Sequence, residues 1–132
     1  MYIKPIHFIS LLSSLLIGTV AISQNVNAAE LVMFESSTCE WCDRWHEEIG
    51  SIYPMTPEGK CAPLRQVAIG GERPAHLSEI SPTRFTPTFV MVEEGREVGR
   101  LVGYAGEDFF WFLLAEQLKK LASGCTNVGG KN

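Results

Sequence analysis

Leu31-Val32-Met33-Phe34-Glu35-Ser36-Ser37-Thr38-Cys39-Glu40-Trp41-Cys42 is the stretch on which the reading of this chain turns. Four consecutive apolar residues suit a short strand covered on both faces. Ser36, Ser37 and Thr38 are residue types that start helices, and Ser37-Thr38-Cys39-Glu40 has the spacing of a capping box. A strand is therefore predicted over Leu31–Phe34, followed by a helix that begins beside Cys39 and runs through Trp45 and Ile49 to about Ile52. Two cysteines separated by two residues at a helix start close a small disulfide ring with little backbone movement. Cys39, nearer the helix end, is expected to be the exposed nucleophile, because unpaired backbone N–H groups and the helix dipole favour its thiolate. Cys42, nearly one turn further in, is expected to resolve the mixed disulfide formed by Cys39. Between them Glu40 sets a negative charge near the thiolate, and Trp41 offers a flat apolar surface for docking a polypeptide.

The same spacing also fits a structural disulfide or half of a metal site. A zinc knuckle needs a second pair of similar spacing, which Cys61 and Cys125 do not supply. Cys39, Cys42 and His46 lie at i, i+3 and i+7, which makes a thiolate–imidazole site for copper or zinc conceivable and a metallochaperone the alternative function. Against it, Asp43, Arg44, Glu47 and Glu48 surround His46 with the pattern of a solvated helix face, so no metal is expected. A further alternative is a redox-insensitive binding domain with Trp41, Tyr104 and Phe109 as its partner surface.

Toward the C-terminus, the run Tyr53 to Gly59 holds two prolines and a glycine and is predicted to stop the helix. Leu64–Ile69 reads as a second strand ended by Gly70-Gly71, and between Ala75 and Ile80 there is room only for a short helix, closed by Pro82. Phe89–Val92 is a third strand, Glu93-Glu94-Gly95 a turn, and Glu97–Val102 a fourth strand. Phe110, Leu113, Leu114, Gln117, Leu118 and Leu121 recur at helical spacing, which predicts a last helix from Glu107 to about Ala122. Glu107 and Asp108 stand at its start, Lys119 and Lys120 at its end, and Gly124 beyond. The order is strand, helix, strand, short helix, hairpin, helix: an α/β chain with a mixed four-stranded sheet and helices on both faces. Pro87, directly before an apolar strand, has two readings. It is a trans proline that starts the strand, or a cis bond after Thr86 that places the ring beside the Cys39 sulfur and leaves the Thr86 backbone free to pair with an extended substrate.

Toward the N-terminus, Lys4 precedes the 15-residue apolar run Phe8–Ile22, and Val26-Asn27-Ala28 follows with light residues at the cleavage positions. Residues 1–28 are expected to be a cleavable signal peptide, cut after Ala28. The alternative, a retained anchor, is disfavoured by a run shorter than the roughly 20 residues of a bilayer crossing. No paired arginines precede the run, which argues against a twin-arginine signal. Processing would leave 104 of the 132 residues, enough for one domain over residues 29–125 and a polar tail over 126–132. The whole chain has 11 Lys and Arg against 15 Asp and Glu, and without Lys4 the balance is five negative charges. That argues against nucleic acid or anionic membrane as a partner. All four cysteines lie in the exported part, where lasting disulfides form. They read as one reactive pair and one candidate structural pair. Cys61 before strand two and Cys125 after the last helix are brought by this topology to the edge opposite the reactive pair; two unrelated thiols is the competing reading. The chain has no flavin or nicotinamide motif, so no cofactor is expected.

Taken in order, Cys39-Glu40-Trp41-Cys42 after Leu31–Phe34, then Phe85-Thr86-Pro87-Thr88-Phe89, then Gly103 before an apolar last helix resemble the thioredoxin superfamily over residues 30–123. The absence of a strand and helix before Leu31 resembles the compact glutaredoxin arrangement, and the exported SoxS-like group of bacterial sulfur oxidation is the nearest resemblance within the superfamily. The resemblance implies a thioredoxin-like fold and thiol–disulfide oxidoreductase activity, with Cys39 attacking and Cys42 resolving. It further implies a cis Pro87 that keeps metals from the thiols and, with Thr86, Trp41 and Gly103, binds substrate. It points to reduction of a cysteine adduct or mixed disulfide on an exported partner, in the periplasm, by a monomer re-reduced by a membrane electron donor. Departures are also plain. Glu40-Trp41 stands where thioredoxins carry Gly-Pro, and Met33 replaces their buried aspartate, leaving Glu35 or water to accept the proton of the second thiol. Gly103-Tyr104-Ala105-Gly106-Glu107-Asp108 matches the glutathione signature of glutaredoxins only in part.

Overall fold

The computed structural model describes residues 29–125; the expected signal peptide and polar tail lie outside the described residues. Strand β1 spans Ala29–Glu35 and is followed after a turn by helix α1, Glu40–Trp45, which continues as a π-turn over His46–Gly50. A 3-10 turn at Tyr53–Met55 leads into a second short helix, α2, Pro57–Cys61, and then strand β2, Leu64–Ala68. A 3-10 turn at Ala75–Leu77, the hairpin β3 (Thr88–Glu93) and β4 (Arg96–Val102), and helix α3 (Glu107–Leu118) complete the chain.

The sheet has the order β2-β1-β3-β4. β1 runs parallel to β2, with Leu31 beside Leu64, and antiparallel to β3, with Phe34 beside Thr88. This register carries the functional argument. The C-terminal end of β1, which feeds Cys39, lies beside the start of β3, which follows Pro87, so both sequence motifs come to one end of the sheet. At the hairpin tip Glu94 and Gly95 have φ of 50° and 76°, the left-handed pair that a tight two-residue hairpin turn requires.

Alternation along the strands divides the core. On one face Leu31, Met33, Phe89 and Met91 pack with Trp45, Ile49 and Tyr53 and with Phe110, Leu114 and Leu118 of α3. Trp45, Phe89 and Phe110 form a ring cluster with centroids 5.1–5.6 Å apart, a spacing at which tilted and edge-on aromatic pairs attract. Val32, Phe34, Val67, Val90 and Val92 face the other way and are closed over by Leu77 and Ile80. Helical cover exists on both faces as expected, although on the second face it amounts to the single 3-10 turn. Glu30 pins that turn: its carboxylate accepts from Arg65 of β2 at 2.6 Å and pairs with His76 at 2.7 Å.

Three expectations about the elements need correction. The capping box is not formed, because the N-cap of α1 is Cys39 itself, whose Sγ accepts the backbone N–H of Cys42. Pro54 and Pro57 do not merely break structure; each sits in the first turn of a new helical segment, where a missing N–H costs nothing. Thr56 caps α2, its Oγ1 accepting from the Gly59 N–H at 3.0 Å. Finally, α3 ends at Leu118 rather than near Ala122, and the Glu93 carboxylate caps the chain that follows, accepting the N–H groups of Ala122 at 3.0 Å and Ser123 at 2.8 Å.

Candidate active site

Cys39 leaves the turn after β1 in an extended conformation, φ −95° and ψ 96°, and opens α1. Its sulfur accepts the Cys42 N–H at 3.1 Å, a first-turn donor that it shares with the Cys39 carbonyl at 3.0 Å. Cys39 and Cys42 are joined as a disulfide with Cα atoms 5.2 Å apart. The expected exposed nucleophile is only 7 % exposed and Cys42 2 %. The order of accessibility is as expected, but Cys39 is a recessed sulfur, because the ring tucks it under the first turn of α1 and against the apolar cluster that also holds Met33.

Trp41 is half exposed beside the pair, with the Arg44 guanidinium 5.7 Å from its ring centroid. Arg44 also donates to Glu48 at 2.9 Å, and Glu48 accepts from the Tyr104 hydroxyl. This chain of contacts ties α1 to the segment after β4. The Tyr104 hydroxyl and Arg44 hold the Glu48 carboxyl below the usual carboxylate range, while burial, and then the Glu48 carboxylate, push the Tyr104 hydroxyl above the usual phenol range. Tyr104 is thus buried and does not join Trp41 and Phe109 in an exposed partner surface; its ring lies against Phe110 at 6.2 Å.

The Thr86–Pro87 peptide is cis and Pro87 is buried. The loop is pinned from behind, since the Thr83 hydroxyl donates to that of Thr88 at 2.9 Å and the Thr88 hydroxyl to the Phe85 carbonyl at 2.7 Å. Among the described residues, no hydrogen bond engages the Thr86 backbone. Gly103 donates its N–H to the Pro87 carbonyl at 2.8 Å and has φ 86°. No atom would lie within 4 Å of a Cβ built there, so the glycine fronts open space. Phe85, 68 % exposed in front of the loop, was not singled out in the sequence, where its only signal is an aromatic residue beside Thr86-Pro87.

His46 lies on the Cys42 side of α1, but its Nε2 pairs with Glu35 at 2.6 Å. Among the described residues, no group of three or more His, Cys, Asp or Glu side chains is gathered to hold a metal. Cys61 and Cys125 are joined at the far end of the sheet, their Cα atoms 6.0 Å apart.

A recessed, disulfide-bonded cysteine pair at a helix start, beside the end of a sheet that also carries a cis-proline loop, defines a protein that exchanges disulfides. The chain belongs to the thioredoxin-like domain family, whose model matches residues 20–118, and it is a thiol–disulfide oxidoreductase. It is similar to the periplasmic thioredoxin SoxS from Paracoccus pantotrophus in its reduced form, with 43% identity and a TM-score of 0.67 over 70% of this chain and 97% of that one. The thioredoxin of Malassezia sympodialis shares the fold at 19% identity and TM-score 0.51, over 69% of this chain and 76% of that one. Fasciola hepatica thioredoxin shares it at 22% identity and TM-score 0.50, over 69% and 82%. A search of curated protein sequences gave no match.

Proposed function

We propose that this protein works in the periplasm as a reductant of a cysteine adduct or mixed disulfide on an exported partner of sulfur oxidation. The observation that carries the reading is the Cys39 sulfur acting as the N-cap of α1, with the Cys42 N–H directed at it. The same donor and the helix dipole would stabilise a Cys39 thiolate once the disulfide is opened. In the cycle, the Cys39 thiolate attacks the partner's disulfide sulfur, forming a Cys39–partner disulfide and releasing the group that had blocked the partner as a thiolate. Cys42, deprotonated, then attacks the Cys39 sulfur, releasing the partner's thiolate and leaving Cys39–Cys42 oxidised. Two electrons have passed to the partner, and a second dithiol must return them; a membrane electron donor is the proposed source. Trp41, Thr86, Pro87 and Gly103 bind the partner's chain, the unengaged Thr86 backbone pairing with it as a strand does. Residues 1–28 act as the export signal. The similarity to a periplasmic thioredoxin supports this location.

The test is trapping. Cys42→Ser should accumulate the mixed disulfide with the partner in cells, and mass spectrometry of the adduct names its other half; Cys39→Ser should yield no adduct and no exchange. An adduct carried by a cytoplasmic protein, or an undiminished exchange rate in Cys39→Ser, would overturn the proposal.

A further inference from the structure

Trp45 is the last residue of α1 and is fully buried, yet its indole Nε1–H has no hydrogen-bond partner among the described residues. Buried donors are almost always paired, and one left alone is destabilising. Trp111, partly buried against the same cluster, shows the ordinary case: its Nε1–H donates to Glu107 at 3.4 Å.

The surroundings of Trp45 offer few acceptors. Its ring lies against those of His46, Tyr53, Phe89 and Phe110. The Tyr53 hydroxyl is turned to the Ala62 carbonyl, His46 to Glu35, and the Tyr104 hydroxyl to Glu48. What remains among the buried side chains of the cluster is sulfur, that of Met33, of Met91 and of the reactive pair. Cys42 stands three residues before Trp45, and these two are the buried residues of α1. Residues three apart share a helix face, and a helical side chain leans over the turn that precedes it. The indole is oriented to match. A Cβ at Gly50, five residues further on, would lie 3.6 Å from Trp45 Cζ3. The benzo edge therefore faces Gly50, and the opposite edge, which carries Nε1, faces back toward the turn that holds Cys42.

From this we infer that the Trp45 indole N–H is held in reserve for the Cys42 sulfur and assists the resolving step once the disulfide has opened. The inference rests on the exchange reaction proposed above and concerns only its second half. In the mixed disulfide Cys42 is a free thiol inside an apolar cluster, where burial disfavours its thiolate. Its proton passes to water, and the indole N–H bonds the thiolate that remains. That sulfur attacks Cys39, and the partner's thiolate leaves as the Cys39–Cys42 bond forms. A thiolate accepts far more strongly than a neutral disulfide sulfur, so the donor is idle in the oxidised form and engaged in the intermediate.

The test removes the N–H and keeps the shape. In 3-benzothienylalanine a ring sulfur stands where the indole carries its N–H, and stop-codon suppression places this residue at position 45 of the protein as purified from cells. The reduced protein is mixed with one equivalent of bis-thionitrobenzoate and release of thionitrobenzoate is followed by stopped flow. A first release marks attack by Cys39, and a second marks resolution by Cys42. The second phase should slow by about tenfold, near the lower end of what one hydrogen bond to a charged group contributes, with the first phase as in the wild type. Equal second phases, or equal slowing of both phases, would overturn the inference, whereas absence of the first phase from the wild type would instead sink the exchange proposal. A second measurement needs no substitution at position 45. The chain has three tryptophans, and Trp41→Phe and Trp111→Phe assign their indole protons by NMR. In the wild type the Trp45 signal should move downfield when the Cys39–Cys42 disulfide is reduced. An unmoved signal, or a long-lived water bonded to this indole in both forms, would overturn the inference whether or not the substituted protein folds.

Discussion

At the scale of single residues, two glycines separate two kinds of constraint. A Cβ at Gly59 would lie 1.9 Å from the Tyr53 carbonyl oxygen, backbone that cannot step aside. Gly59→Ala should therefore lower stability by about 3 kcal/mol, the upper part of the range for overpacking, measured as the shift in urea midpoint at unchanged slope. At Gly103 the space is open and only the left-handed φ of 86° resists a side chain. Gly103→Ala should cost about 1 kcal/mol, and under the substrate role proposed for that position it should slow exchange with a polypeptide more than with a small disulfide. The cysteine pair and Pro87 were legible because their chemistry is written in adjacent letters. Tyr104 was not, since the carboxylate that fixes it, Glu48, is 56 residues away in sequence. Trp41 and Phe109 read correctly as surface residues, whereas Cys39 is more recessed than a helix-start argument alone implies.

At the scale of elements, the four strands lay within two residues of their predicted ends, because apolar runs bounded by Gly, Pro and acidic turns leave little choice. Helices were harder. The first two turns of α3 are apolar nearly all round, with Phe109, Phe110, Trp111, Phe112, Leu113 and Leu114 in succession, so periodicity could not fix which way Leu113 turns, and it faces out. α2 was hidden because prolines that open a helix look like prolines that end one. The stop after α3 also depends on a distant group. Hydrogen bonds from Ser123 and Ala122 hold the Glu93 carboxyl below the usual carboxylate range. A carboxyl whose folded pKa lies below its unfolded one contributes stability above the unfolded value and loses it as pH falls through the folded value. Wild type should therefore exceed Glu93→Gln in stability at neutral pH, and the gap should narrow steadily as urea titrations are taken down through the acid range. A gap that widens there would contradict the assignment.

At the scale of the whole molecule, the Cys61–Cys125 bond closes a span of 64 residues that includes β2, the hairpin and α3. By chain entropy alone such a cross-link stabilises by up to roughly 4 kcal/mol, a large share of what a domain this size possesses. Cys61→Ala with Cys125→Ala should lower the thermal midpoint by ten degrees or more, at roughly 4–8 °C per kcal/mol, while the Cys39–Cys42 pair still exchanges; an unmoved midpoint would mean that the bond does not constrain the fold. The placement of the two sulfur pairs has another consequence. Pro63, two residues after Cys61, accepts a hydrogen bond from Leu31 at the beginning of β1, and the other end of that seven-residue strand leads to Cys39. From Leu31 to Glu35, at about 3.3 Å per residue, the strand alone sets them roughly 13 Å apart before the turn to Cys39 is added, so within one folded molecule neither reactive sulfur reaches the tether. A catalyst of bond shuffling is in this way insulated from its own chemistry: limiting reductant should open Cys39–Cys42 first, and scrambled Cys39–Cys61 peptides should arise only after unfolding.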